Sequence, residues 1–226
     1  MYRKESLTTT WACRLLVVML VGLVVVVTRT LWVPGIGRSL VCAEDVGPSD
    51  AILVENFDPN YLVFERAAAL QKAGLAPRVL VPTEASGRDP VANPVAQGIA
   101  ELMARLARLE KIEIIPIRER EPISLNAAYQ VRDFLTREHL RSVIVVTPGL
   151  RSRRSSLVYR AVLTPAGIEA HCLPVLGEHG VENWTATWHG IEDVVEQLIK
   201  LEYYRLYVLP RHRRTSLVAV TVPGAR

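Results

Sequence analysis

The sequence predicts an α/β fold with a mostly parallel five-stranded sheet, carried behind one N-terminal transmembrane helix. Three observations predict it. From Asp50 onward, short β-branched runs alternate with helix-period segments, the pattern of strands joined by crossover helices. Half of the 226 residues are hydrophobic and 22% are charged, which supplies a sizeable core and excludes a disordered or collagen-like chain. Near the start, Leu15 to Thr28 (LLVVMLVGLVVVVT) is almost wholly aliphatic and uncharged.

That aliphatic segment covers roughly 21 Å at about 1.5 Å per helical residue, short of a hydrocarbon core of ~30 Å. Trp11 and Trp32 stand where interfacial aromatics belong, and Arg14 and Arg29 can snorkel. The expectation is therefore a single span from Trp11 to Val33. A cleaved signal peptide is the competing reading. Its small-residue site, Val41-Cys42-Ala43, lies well beyond the apolar run, and Arg38 to Cys42 lacks the small residue expected before a lipid-modified cysteine. Arg3, Lys4 and Arg14 precede the span, so the positive-inside bias keeps the tail cytoplasmic and turns everything after about residue 35 outward. The expected organisation is a tail and anchor over 1–34, a linker over 35–48, an α/β domain over 49–209 and a basic tail over 210–226.

Cys13 lies at the membrane, leaving Cys42 and Cys172 as the one pair available to an oxidising compartment. Two unpaired buried thiols are the expectation. The formal charge of +4 is spread along the chain with no basic run interleaved with aromatics, so nucleic acid has no support as a partner.

Within the domain, Ala51 to Val54 is the first strand, and a helix from Tyr61 to Ala73 follows, stopped by Gly74. Arg78 to Val81 is the second strand. Pro82 to Asn93, polar and rich in Gly and Pro, reads as a loop; Asn93-Pro94 then supplies an N-cap and a first-turn proline for a helix to about Leu109. Ile112 to Ile117 is the third strand, and Leu125 to Glu138 is a helix that Ser124 caps. Ser142 to Thr147 is the fourth and clearest strand. Arg153 to Leu163 is its helix, closed by Thr164-Pro165-Ala166-Gly167, and Ile168 to Leu173 is the fifth strand. Ile191, Val194, Val195, Leu198, Leu201 and Leu206 mark one face of a long terminal helix from His189 to Val208. The tail after Pro210, starting Arg211, His212, Arg213, Arg214, is expected to be loose or near the membrane surface, with Leu217 to Val222 as an added edge strand.

In an open parallel sheet, ligands bind beyond the carboxyl ends of the strands. Those ends offer Glu55, Asn56 and Asp58 after the first strand, Thr83 and Glu84 after the second, and Glu119, Glu121, Ser124 and Asn126 after the third. The fourth loop, Thr147 to Ser156, joins a buried strand to a helix N-terminus and carries Gly149, Arg151, Arg153 and Arg154. Free amides, the helix dipole, hydroxyls and guanidinium forks suit a phosphate there. Arginine at a helix N-terminus works against the helix itself, which points to a reason beyond stability. Glu121 and Glu55 are the candidates for a general base; Ser124 reads first as a cap. His139, His171, His179, His189 and His212 lack zinc-site spacing, and no Walker or GxGxxG motif is present, so neither a metal nor a cofactor is expected.

The order of these motifs resembles the YdcF-like family of cell-envelope proteins, which includes the SanA and ElyC types and carries a domain of unknown function. The resemblance covers about residues 38 to 208. The family's "sDAIVVLG" is matched by Ser49-Asp50-Ala51-Ile52-Leu53-Val54 and its "AP.ilvsG" by Ala76-Pro77-Arg78-Val79-Leu80-Val81. An acidic residue followed by "S.nT.eN" is similar to Glu121-Pro122-Ile123-Ser124-Leu125-Asn126. "vTs..HmpRa" is similar to Val146 through Ser155, and "lgr.Lv.eD" to Ile36 through Asp45. The resemblance implies a Rossmann-like three-layer αβα sandwich, an inner-membrane protein facing the periplasm or cell exterior, and a role in envelope or peptidoglycan biogenesis. Asp50, Glu121, Ser124, Asn126, Thr147 and Arg154 keep the family pattern. The glycine-rich turn becomes Glu55-Asn56-Phe57, the histidine becomes Arg151, and Ala127, Tyr129 and Gln130 replace a threonine, an acidic residue and an asparagine. Those losses favour binding over catalysis. The expected ligand is a phosphate-bearing envelope precursor such as a lipid-linked sugar, with envelope-machinery proteins as the alternative partners.

Overall fold

The computed structural model describes residues 10–56, 60–87, 91–177 and 180–212. The elements expected over Leu217 to Val222, and the side chains of Arg3, Lys4, Asp58, His179, Arg213 and Arg214, lie outside the described residues.

Five strands form one parallel sheet: β1 Ala51–Val54, β2 Arg78–Glu84, β3 Glu113–Ile117, β4 Ser142–Pro148 and β5 Glu169–Val175, in the order β3-β2-β1-β4-β5. Side chains alternate across a strand, so a central strand must be apolar on both faces. All four residues of β1 are buried. Ile52 and Val54 enter one core with α3 (Tyr61–Lys72) and α4 (Pro94–Leu106). Ala51 and Leu53 enter the other with α5 (Ile123–Arg137) and α6 (Ser152–Leu163). The result is three layers, helices on both faces of a parallel sheet, as in a Rossmann-like sandwich.

Local chemistry sets the boundaries. The Asn60 and Asn93 side chains accept from the amides of Leu62 and Val95, capping α3 and α4. Arg78 forks onto Glu113 and reaches Glu138, tying β2 to β3 and to the end of α5. β2 runs three residues beyond its expected end. Its register with β1 stops at Leu80, so from Pro82 onward β2 has only β3 beside it, and an edge position tolerates a residue with no N–H. Ser124 does not cap α5: the helix begins at Ile123 with Pro122 before it and no side-chain cap.

The N-terminus departs most from expectation. Two helices, α1 (Trp11–Val27) and α2 (Arg29–Leu40), replace the single span and bend by 66° at Thr28. No single helix among the described residues is long and apolar enough to cross a membrane, although the bent pair together passes on length and composition. Thr28 closes α1 by donating its hydroxyl to the Val24 carbonyl. The domain then captures α2. Trp184 Nε1 donates to the Val33 carbonyl, the Trp32 and Trp184 rings meet edge to face, and Gly37 lies so close to the Val181 backbone that a Cβ would sit 2.3 Å from its carbonyl oxygen. Val33 and Leu40 join Val194 and Leu201 of α7 (Trp188–Tyr203) in a third apolar cluster.

Residues 41–49 are pinned rather than slack. Cys42 and Cys172 form a disulfide with Cα atoms 6.3 Å apart, correcting the expectation of two free thiols. The Glu44 carboxylate accepts from the Cys172 amide and the Ser156 hydroxyl and pairs with Arg160 at 2.8 Å. At the other end, α7 passes into a π-helical turn over Tyr204–Val208 and stays helical to His212, where Tyr129 Oη meets His212 Nδ1 at 2.5 Å. Arg211 and His212 thus continue the helix, with His212 against Tyr129 of α5, and the rest of the expected tail lies outside the described residues.

Candidate functional site

The sheet order reverses between β1 and β4, which places a crevice at their carboxyl ends. Glu55 and Asn56 follow β1, and Thr147 closes β4, so the two strand tips bring their polar groups together. Glu55 is only 2% exposed and accepts hydrogen bonds from the Thr147 and Ser155 hydroxyls, the latter at 2.7 Å. This knot fastens the tip of β1 to the first turn of α6. Beside it, Asn56 Oδ1 and Thr83 Oγ1 are buried with no hydrogen-bond partner among the described residues, on adjacent strand tips. Tyr159 Oη is likewise buried, and burial pushes its phenol well up, with Glu55's charge adding.

A short 3-10 turn, Gly149–Arg151, links β4 to α6. Gly149 is buried against the Leu176 side chain, whose Cδ2 would lie 2.3 Å from an added Cβ. Ser152 is fully buried; its hydroxyl donates to the Gly149 carbonyl and accepts from the Cys42 amide. These bonds fix how α6 presents its arginines. Arg153 points to solvent. Arg154 turns inward, 6% exposed, donating to Ser124 Oγ at 2.9 Å and Gln197 Oε1 at 3.3 Å, with its guanidinium 5.6 Å from the Tyr204 ring centroid. Arg151 is half-buried beside it.

Arg151, Arg154 and Ser124 line a cavity of about 400 Å³ together with Glu119, Glu121, Ile123, Lys200, Tyr203 and Tyr204. Its floor is cationic and its acids are at the rim, since Glu119 and Glu121 are exposed. Screened rim carboxylates act weakly on a buried guanidinium. Arg154 makes no ion pair with a carboxylate among the described residues, and its Nε has no hydrogen-bond partner. Burial lowers its pKa and the like charge of Arg151 lowers it further, against the smaller opposing effects of Glu55, Tyr204 and Glu196. A guanidinium buried without a counter-ion costs several kcal/mol unless something compensates. The positive field reaches across the cavity: Glu196 is held below the usual carboxylate range first by a hydrogen bond from Lys200, then by the charges of Lys200, Arg151 and Arg154.

Of the residues expected to bind ligand, Ser124, Arg151 and Arg154 meet at this cavity, and Thr147 and Asn56 sit behind it in and beside the Glu55 knot. Asp50 does not belong there. It lies at the amino end of β1, accepting from the Arg141 and Ser142 amides at 2.6 and 2.9 Å, which hold its carboxyl below the usual range despite some desolvation. Asn126 is also structural, donating to the Arg120 and Pro122 carbonyls and so shaping the β3–α5 loop. Of the two candidate bases, Glu121 is at the cavity rim and Glu55 is engaged in the knot, outside the cavity lining. Gln197, Lys200 and Tyr204 were not singled out from sequence. Their spacing puts all three on one side of the terminal helix, but only the packing of that helix shows where the side faces.

No family model matches the chain, and no curated protein matches it.

Proposed function

We propose that this chain is a membrane-tethered envelope protein, a divergent relative of the YdcF-like family, whose cavity at the β3–α5 and β4–α6 loops binds the phosphate of a lipid-linked cell-wall or polysaccharide precursor. One observation carries the reading: Arg154 is buried, hydrogen-bonded only to neutral acceptors among the described residues, and opens with Arg151 onto a cavity, while Glu55 and Glu196 act on its charge without a direct ion pair. A phosphate would supply a directly bonded counter-charge to Arg154, and a guanidinium fork fits its oxygens in bidentate fashion. The exposed aliphatic side chains of α1 support the tether, and the Cys42–Cys172 disulfide suits an oxidising compartment outside the cytoplasm. A tether raises the local concentration of membrane-borne ligands. Binding without turnover is the form favoured here, because Glu55 is held by two hydroxyls and Glu121 stands at a solvent-exposed rim.

The test is titration of the full chain, in nanodiscs, with a short-chain prenyl diphosphate sugar. Arg151→Ala and, separately, Arg154→Lys each weaken binding by at least about tenfold, roughly 1.4 kcal/mol, through loss of charge or of the fork. Parent-like affinity in both folded variants would remove the phosphate reading and leave an envelope scaffold that docks a protein partner.

A further inference from the structure

Helix α7 is apolar on two sides. Its inner side, Val194 and Leu201, packs against α2. Its outer side presents Trp188, Val195, Ile199 and Tyr203, with Leu206 continuing the stripe into the π turn; Trp188, Ile199 and Leu206 are 72%, 66% and 71% exposed. The spacing of seven, four, four and three residues keeps them on one face. Glu192 interrupts the stripe, one turn from both Trp188 and Val195, and pairs with His189 at 3.7 Å, while Glu202 borders it and pairs with Arg205 of the π turn at 3.8 Å. A helix with a second apolar face is normally covered on that face too.

What covers it is indicated by where α1 ends. The aliphatic side chains of α1 are exposed along its whole length, up to the bend at Thr28. Arg29 then donates to Thr185 Oγ1 at 2.7 Å, three residues before Trp188, so the end of the exposed apolar helix and the start of the exposed apolar stripe are fastened together. With α1 along a bilayer normal, the 66° bend brings α2 closer to the membrane plane than to the normal, and α7 packs on α2. Trp188, Tyr203 and Tyr207 are residues suited to the headgroup level. Another exposed stripe, Val95, Leu102 and Leu106 on α4, belongs to the opposite layer and has no such link to α1.

We infer that the outer face of α7 is seated in the lipid interface, so that the mouth of the Arg151–Arg154 cavity opens at headgroup level. Tyr203 belongs both to the stripe and to the cavity lining, and Lys200 lines the cavity from the same helix. A phosphate on a lipid therefore enters from the membrane side without leaving the bilayer. The inference rests on the tethered reading above and adds to it an orientation, the domain lying on its α7 face.

The experiment uses the full chain with Cys13→Ser, the native disulfide intact, and a nitroxide on one introduced cysteine at a time, in phosphatidylethanolamine–phosphatidylglycerol vesicles. Val21→Cys reports α1, Ile199→Cys the stripe, and Leu102→Cys the competing stripe on α4. Collision with oxygen marks lipid, and collision with a water-soluble nickel chelate marks water. The expected result is an oxygen-to-nickel ratio at Ile199 several-fold above that at Leu102 and approaching that at Val21. A ratio at Ile199 equal to that at Leu102, with Val21 still shielded from nickel, overturns the α7 seating and leaves the tether standing. Nickel access at Val21 overturns the tether itself.

Discussion

Asp50 shows how one residue can be conspicuous in sequence for a reason other than ligand. Its carboxylate closes the amino end of the sheet by accepting two backbone amides from the turn before β4. Hydrogen bonds to a charged group contribute about 1.5–3 kcal/mol when buried, and solvent at this edge discounts that. Asp50→Ala is therefore expected to lower unfolding free energy by about 1 kcal/mol at neutral pH, without changing ligand affinity. The sign with pH follows from its depressed pKa: the contribution is full above the ordinary aspartate range and is lost as pH falls through the lower folded-state value. Urea midpoints measured down to acid pH should converge for parent and variant; a constant gap would assign the effect to packing. Arg154 is the converse case, buried yet hydrogen-bonded to no carboxylate among the described residues. Its place beside Ser124 was legible because both belong to strand-end loops, where short spacing and topology fix the neighbourhood. Gln197, Lys200 and Tyr204 were not legible as site residues, since their side of α7 faces the cavity only after long-range packing.

The elements divide along the same line. The central strands β1, β2 and β4 are buried on both faces and announce themselves as aliphatic runs, and β3 and β5, half-buried at the sheet edges, also lie close to their expected places. β2 overran because proline and polar residues at its end signal a loop, while the single neighbour there admits them. The disulfide was hidden for a different reason: 130 residues separate its cysteines, and only the docking of residues 41–49 along α6 and β5 brings them together. Closing a loop of that length constrains the unfolded chain, and such bridges typically contribute about 2–4 kcal/mol. Cys172→Ser should therefore reduce unfolding free energy by about 2–4 kcal/mol and speed amide exchange in residues 42–44. Unchanged exchange there would mean that Glu44 and Ser152 hold the segment unaided.

At the scale of the whole molecule, the N-terminal segment and the domain are one packed object from α2 onward. Composition made the aliphatic run unmistakable but could not reveal that Trp184 and Val181 would draw the following helix sideways onto the domain. The consequence is functional under the proposed reading: a rigid tether sets the height and tilt of the cavity, whereas a slack linker would leave both free. A 400 Å³ cavity with a buried guanidinium floor is then held at fixed distance from the end of α1.

The most direct measurement compares, on the full chain in nanodiscs, a short-chain prenyl diphosphate sugar with the same sugar carried on the prenyl alcohol. The account predicts that the phosphate-bearing ligand binds at least about tenfold more tightly and that added salt narrows the difference. Equal affinity for the two would contradict it.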